Sequence, residues 1–301
     1  KEIGIVIHPS FEAQFLEKLG TEQSIFCSIT YLFQEDPKGI SDAIKRAESF
    51  IGQEPFILLL GDNLIEDSLA GLKEDLEKKH VNGSIMLKQV LNPREYGVAE
   101  IRAGKVINIE EKPRQPKSDL AVIGAYAFDS TIFEAIASIK PSARGEYEIT
   151  DAIQWLIHQG YNISYSETKE HFTDVGTVDR WLEANRWMQD FNSQLNRISK
   201  RSTLVDCIIN PPVSIAEGCY IQNSVIGPYV SIGPNVKLDA CIVEKSIILD
   251  NSEIYNSPSP IKNSVLGRFS QIHGSKGNAK AVEYIIGDQS SVIIRGLEEE
   301  D

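Results

Sequence analysis

The sequence has no apolar stretch approaching the roughly 18 residues that a membrane-spanning helix needs, and its start lacks a charged segment followed by an apolar signal core. No membrane association and no export are expected. Basic residues are scarce, with 30 Lys and Arg against 43 Asp and Glu, a net charge of −13. No broad basic stripe is visible. That works against nonspecific binding to nucleic acid or to an anionic membrane, while leaving open a local basic pocket for one phosphorylated metabolite. Cysteines number four, Cys27, Cys207, Cys219 and Cys241, and none forms a Cys-x-x-Cys pair. Each sits in an apolar or strand-like setting, so reduced buried thiols in a reducing cytoplasm are expected. The 301 residues do have 42% apolar side chains, enough for roughly two average domains with real cores.

The first half alternates strand and helix patterns. Glu2 to Ile7 is a β-branched run, followed by Phe11, Phe15 and Leu19 at helical spacing. Ser28 to Phe33 reads as a strand, and the polar loop Gln34 to Gly39 leads into a helix burying Ala43, Ala47 and Phe50. Phe56-Ile57-Leu58-Leu59-Leu60-Gly61-Asp62-Asn63 reads as a buried parallel strand delivering an acid to its carboxyl end. In open α/β sheets ligands collect there, so Asp62 is a candidate for holding a divalent cation beside phosphates, or else a helix N-cap. Leu69, Leu72 and Leu76 mark another helix before the strand at Gly83. The alternation implies a largely parallel, three-layer α/β domain.

Polar residues then gather at strand ends. Tyr96-Gly97 allows close backbone approach by a ligand or makes a simple turn, and Glu110-Glu111-Lys112-Pro113 sets a cation beside carboxylates or is a solvated charge run. Ser142-Ala143-Arg144-Gly145-Glu146-Tyr147-Glu148-Ile149-Thr150-Asp151 offers the planar fork of Arg144 to a phosphate, with Thr150 or Asp151 able to cap the next helix. Asp174 is a second acid in a tight turn. The helix from about Val178 to Met188 presents Trp181, Ala184 and Met188 as packing residues.

Beyond about residue 204 an aliphatic residue recurs every five or six positions. Ile226-Gly227-Pro228 and Ile232-Gly233-Pro234 keep phase with Leu238, and Leu266-Gly267 and Ile286-Gly287 repeat the corner. Three such steps close one triangular coil, which predicts a left-handed parallel β-helix with slips before Ile226 and after Leu238. The expected division is 1–188 for the α/β domain, 189–203 for a linker, 204–294 for the β-helix and 295–301 for an acidic tail.

In this order, the Gly-Asp-Asn strand end at Asp62, the Tyr-Gly turn, Glu-Glu-Lys-Pro, Ser-Ala-Arg-Gly-Glu-Tyr-Glu-Ile-Thr-Asp and the Asp-Val-Gly-Thr turn at Asp174 resemble the sugar-1-phosphate nucleotidylyltransferases. Long-form glucose-1-phosphate thymidylyltransferases with a β-helix tail are the nearest likeness. The resemblance implies a Rossmann-like nucleotidyltransferase domain that joins a nucleoside triphosphate, dTTP or UTP, to a sugar 1-phosphate and releases pyrophosphate. It implies Mg²⁺ held by Asp62 and Asp174, with Gln34, Gly39 and Asp62 on the nucleotide. Tyr96, Gly97, Glu111 and Val122 would line the sugar, and Lys112 and Arg144 would neutralise its phosphate. β-Helices of this type commonly form trimers, so a homo-oligomer through residues 204–294 is expected.

The family's opening Gly-Gly-x-Gly-Thr-Arg-Leu loop, which wraps the triphosphate, and the Pro-Lys after it do not occur in these residues. A chain starting at Lys1 is therefore expected to expose an apolar sheet flank and to turn over negligibly. Phe172-Thr173 stands where these enzymes usually carry Trp-Leu, which weakens the sugar and base assignment. Two other functions fit the sequence. One is a bifunctional protein whose β-helix transfers an acetyl group, using His273 from a Gly-rich loop. The other is a noncatalytic subunit that binds nucleotide sugar.

Overall fold

The computed structural model describes residues 2–19, 27–191, 196–257, 259–274 and 284–294. The expected acidic tail and part of the expected linker lie outside them. The chain divides into two units, residues 1–172 and 173–301. In the first, the β-branched and aliphatic runs become strands and the four-residue repeats become helices. Their order is β1 (Glu2–Ile7), α1 (Glu12–Leu19), β2 (Ser28–Phe33), α2 (Ile40–Arg46), α3 (Glu48–Ile51), β3 (Phe56–Leu59), β4 (Asn63–Ile65), α4 (Ala70–Lys79), β5 (Gly83–Gln89), β6 (Gly97–Arg102), β7 (Lys105–Glu111), β8 (Leu120–Phe128), α5 (Thr131–Ser138), α6 (Ile149–His158) and β9 (Ile163–Glu167).

The main sheet is mixed rather than largely parallel. Its order is β7-β6-β8-β5-β9, with β3 also on β8, and β8 runs antiparallel to β3, β5 and β6. Apolar runs report burial but not strand direction, so the sequence alone could not set this. Alternate residues of β8 serve two cores. Val122, Tyr126 and Phe128 join Ile132 and Ala135 of α5 and Ile153 of α6, whereas Ile123, Ala125 and Ala127 join Leu72 of α4. Helices on both faces give the expected three layers. A buried pair, Ser84 Oγ donating to Asp75 Oδ2 at 2.8 Å, ties α4 to β5.

The expectation of a buried parallel strand at Phe56 is corrected. β3 is antiparallel to β8, its only strand partner among the described residues. Phe56 and Leu58 pack into the core, while Ile57 and Leu59 are 42% and 46% exposed. Ile3, in the separate parallel pair β1–β2, is also exposed.

The second unit contains α7 (Val178–Phe191) and a parallel β-helix whose three sheets stack coil on coil. Inward Ile215, Ile221, Ile226, Ile232, Leu238, Val243, Ile248 and Ile254 form one continuous core. Corners are turned by left-handed residues, among them Asn223, Asn235, Asn251 and Asn263, because asparagine tolerates positive φ better than most side chains. Ser246 and Ser264 hydroxyls accept the buried N–H groups of Ser264 and Tyr284 one coil on. Cys219 and Cys241 are buried and unpaired, and burial pushes the Cys241 thiol up to about 11. On α7 the buried residues are Leu182 and Ala184, and Leu182, with partly buried Val178 beside it, packs on Ile247 and Val265. Of the three residues expected to pack, Ala184 is buried, whereas Trp181 and Met188 are exposed because the packed face is centred on Val178 and Leu182. No helix among the described residues is long and apolar enough to cross a membrane.

Candidate functional site

One edge of β8 changes partner midway. Val98 of β6 lies opposite Ala121, and Leu59 of β3 lies opposite Ala125. Gly124 sits in that gap with φ of +70°, a conformation glycine adopts at little cost. Its carbonyl accepts the Leu60 N–H at 3.0 Å, and the turn holding Gly61 and Asp62 follows at once. Asn63 Nδ2 donates to Ile123 O at 2.8 Å and locks the far side of that turn. Asp62 is therefore not an N-cap, since α4 begins only at Ala70. Gly124 did not stand out in the sequence, and Asn63 did so only as the last residue of the Gly-Asp-Asn strand end. A glycine inside an apolar run was the available signal.

Across the same gap the sugar-site candidates converge. A Cβ on Gly97 would lie 2.6 Å from Thr150 Cγ2, 3.3 Å from Glu111 Oε2 and 3.8 Å from Val122 Cγ2. Gly97 and Glu111 are register partners in the β6–β7 hairpin. Tyr96 adjoins them and meets Phe172 edge-on at 6.3 Å between ring centroids. Thr150, read in the sequence as a possible cap, donates from Oγ1 to Glu111 Oε2 at 3.1 Å. Burial is the main cause that raises the Glu111 carboxyl above its ordinary range, and the Glu148 charge adds to it. Thr150, Lys112 and Arg144 oppose that shift.

Because the folded protein holds this proton more tightly than the unfolded chain, ionisation of Glu111 costs stability as pH rises from the ordinary carboxylate range through the folded value. Glu111→Gln removes that cost. The variant is expected to gain stability relative to the parent as pH rises through this window. Urea melts at pH 4 and pH 7 check this, and a constant stability difference between the two proteins would contradict it.

Two cations flank Glu111. Lys112 has φ of +42°, unusual for a lysine, and is held by its N–H to Tyr96 O at 3.0 Å. Its side chain is exposed and has no ion-pair partner among the described residues. Arg144 lies at 4.0 Å from Glu111. It donates from Nε and Nη2 to buried Glu148 Oε1 at 3.1 and 3.0 Å, and from Nη2 to Glu148 Oε2 at 3.0 Å. Glu148 occupies the N-cap position of α6 without capping it and serves the arginine instead. Gln34 and Gly39 join the same region through the backbone. Tyr147 N donates to Lys38 O at 2.8 Å, Ser41 N donates to Tyr147 O at 3.1 Å, and a Cβ on Gly39 would meet Tyr147 O at 2.7 Å. Gln34 Nε2 donates to Asp42 Oδ2 at 2.8 Å and to Gly39 O at 3.3 Å, so its amide donors are engaged within the loop.

The two expected cation ligands differ. Asp62 is exposed and accepts no hydrogen bond or ion pair among the described residues, so its oxygens are available to a hard cation. Asp174, in the second unit, accepts Arg180 Nη1 on both oxygens, at 2.5 and 2.6 Å, so a cation there has to share it or displace the arginine. No group of three or more His, Cys, Asp or Glu among the described residues is placed to hold a metal. Single carboxylates fit a cation whose remaining ligands are phosphate oxygens and water, rather than a resident ion in an all-protein cage. His273 lies on the strand Gln271–Gly274, not in a loop, and stacks on Tyr255 at 5.3 Å.

Residues 1–190 match the Nucleotidyl transferase family, and residues 193–259 match the GlmU-like, C-terminal hexapeptide family. A glucose-1-phosphate thymidylyltransferase of Streptomyces griseus is 31% identical, covering 96% of this chain and 85% of that protein. A second, from Streptomyces antibioticus, is 35% identical over 89% of this chain and 79% of its own. A low-salt glycan biosynthesis nucleotidyltransferase of Haloferax volcanii is 33% identical, with 90% and 80% covered. A solved Bacillus anthracis structure, in complex with sucrose, is 36% identical with a TM-score of 0.59 and covers 63% of this chain and 77% of that one.

Proposed function

From a chain that belongs to the nucleotidyl transferase family, we propose a sugar-nucleotide synthesis in which dTTP or UTP donates its nucleotidyl group to glucose 1-phosphate and pyrophosphate leaves. The observation that carries the reading is the convergence of Gly97, Glu111, Val122 and Thr150 beside Lys112 and Arg144. A carboxylate that can accept hydroxyl hydrogen bonds stands next to two cations, which is the polarity of a sugar 1-phosphate. Glu111 holds the hydroxyls, and glycine at 97 leaves room for the ring. Lys112 and Arg144 neutralise the attacking phosphate, so that two anions can approach in line. Gln34, Gly39 and Asp62 take the nucleotide. Asp62 and, separately, Asp174 are the carboxylates proposed for Mg²⁺, and a bound cation would supply charge neutralisation for the phosphates.

The named relatives support the thymidylyl and glucose assignments, since two are glucose-1-phosphate thymidylyltransferases. The hexapeptide repeat supports assembly through the β-helix, for which we propose a trimer, and the four unpaired cysteines fit a reducing cytoplasm. The test is pyrophosphate release by the natural gene product with Mg²⁺, glucose 1-phosphate and either dTTP or UTP. Release with at least one nucleotide, dependent on the sugar phosphate, is the expected result. Release with neither, by a protein that still binds glucose 1-phosphate, would favour a noncatalytic binding subunit.

A further inference from the structure

Arg144 is held by two carboxylates of unequal character, Glu148 and Glu146, with Glu111 Oε1 a third at 4.0 Å from Nη2. Glu148 is buried, with its side chain 7% exposed, and its oxygens receive Arg144 Nε, Arg144 Nη2 and the Ser142 hydroxyl, the last at 2.7 Å. Its desolvation is compensated by these bonds, so it cannot turn away without leaving a charge unpaired in the interior. Glu146 is different. Its side chain is 40% exposed and receives Arg144 Nη2 through a single contact at 3.1 Å. An exposed pair of this kind is weak and rotates at little cost.

The guanidinium edge left by Glu148 consists of Nη1, which has no partner among the described residues, and the outer part of Nη2, which Glu146 takes. That edge is the fork a phosphate would grip. We propose that Glu146 is a built-in competitor that occupies the phosphate-facing edge of Arg144 in the free protein, while Glu148 is the fixed anchor that positions the guanidinium. A phosphate can bind only by displacing Glu146 and tolerating its charge nearby. The cost falls equally on every anion that uses this edge, so inorganic phosphate is held weakly, while a sugar phosphate, which gains contacts at Glu111 and Gly97 as well, is still bound. The inference rests on the proposal that Arg144 binds the sugar phosphate.

Calorimetry on the full 301-residue chain tests it, with glucose 1-phosphate and inorganic phosphate as separate titrants. Glu146→Gln keeps a hydrogen-bonding amide but removes the competing charge. It is expected to tighten both anions by a similar factor, about two- to fivefold, because each must displace Glu146 from the same edge. Glu146→Asp, which restores the charge, is expected to return both toward the parent values. Glu148→Gln is expected to weaken both anions by about tenfold or more. A purely structural role of Glu146 would make Glu146→Gln weaken binding or leave both affinities unchanged, and either outcome overturns the proposal. Arg144→Ala separates the two levels. If it leaves glucose 1-phosphate binding unchanged, the assignment of Arg144 fails. If it abolishes binding while Glu146→Gln changes nothing, only the role of Glu146 fails.

Discussion

Replacing Gly124 with alanine is expected to lower stability by about 2–3 kcal/mol, combining a left-handed backbone cost of about 1–2 with the loss of a hydrogen bond worth about 1. The new Cβ would lie 1.8 Å from Asn63 Nδ2 and 3.0 Å from Leu60 Cδ1. No rotamer of the alanine relieves this, because a methyl group has none. Asn63 must leave Ile123 O, and the turn that carries Asp62 loses its lock. A drop in Tm of about 5–10 °C follows for a unit of this size. Gly104 provides the control, since it has φ of +73° in the β6–β7 hairpin and no neighbour within 4 Å of its Cβ position. Gly104→Ala therefore carries the backbone cost alone. Thermal melts of the two variants check the difference. If Gly124→Ala costs no more than Gly104→Ala, the packing of Asn63 against residue 124 does not hold the turn.

Most of the scaffold was legible because its signals are local. The six-residue rhythm around Ile226, Ile232 and Leu238 gave the β-helix, since each inward aliphatic residue stacks on its register partner one coil away. The irregularities were legible too. Ser231 pairs with Ile247 and Ile247 with Val265, so successive coils differ in length, as the phase slips required. Strand direction was not legible, because an apolar run such as Leu120 to Phe128 is the same pattern whichever way its neighbours run. The site divides along the same line. Gly97, Glu111 and Val122 were picked out by motif and are brought together. Thr150 and Gly124 act through contacts between segments far apart in sequence, whereas Glu148 meets Arg144 four residues away, and a threonine or glutamate at a helix start has an ordinary capping explanation that hides such roles. Arg180 was missed for the same reason, as an arginine on a helix surface is unremarkable until its partner is Asp174.

Removing the Lys112 side chain is expected to have the largest effect on binding. Lysine in a left-handed backbone is disfavoured relative to glycine, and such conformations persist where surrounding structure fixes them. Here the fixing elements are the N–H bond to Tyr96 O and the buried ring of Pro113, which together set the lysine at the corner beyond Glu111. The ammonium is exposed and unpaired among the described residues, so an incoming phosphate meets no competitor for it. That distinguishes it from Arg144, which must release Glu146. A charge-assisted contact is worth about 1.5–3 kcal/mol, so Lys112→Ala should weaken glucose 1-phosphate by roughly ten- to a hundredfold. Lys112→Gly separates chemistry from backbone. It relieves the left-handed conformation and should melt higher than Lys112→Ala, reflecting about 1 kcal/mol, yet bind the sugar phosphate no better. Calorimetry and thermal melts on the pair read both quantities. Glycine restoring affinity would mean that the corner's shape, and not the lysine's charge, is what the site uses.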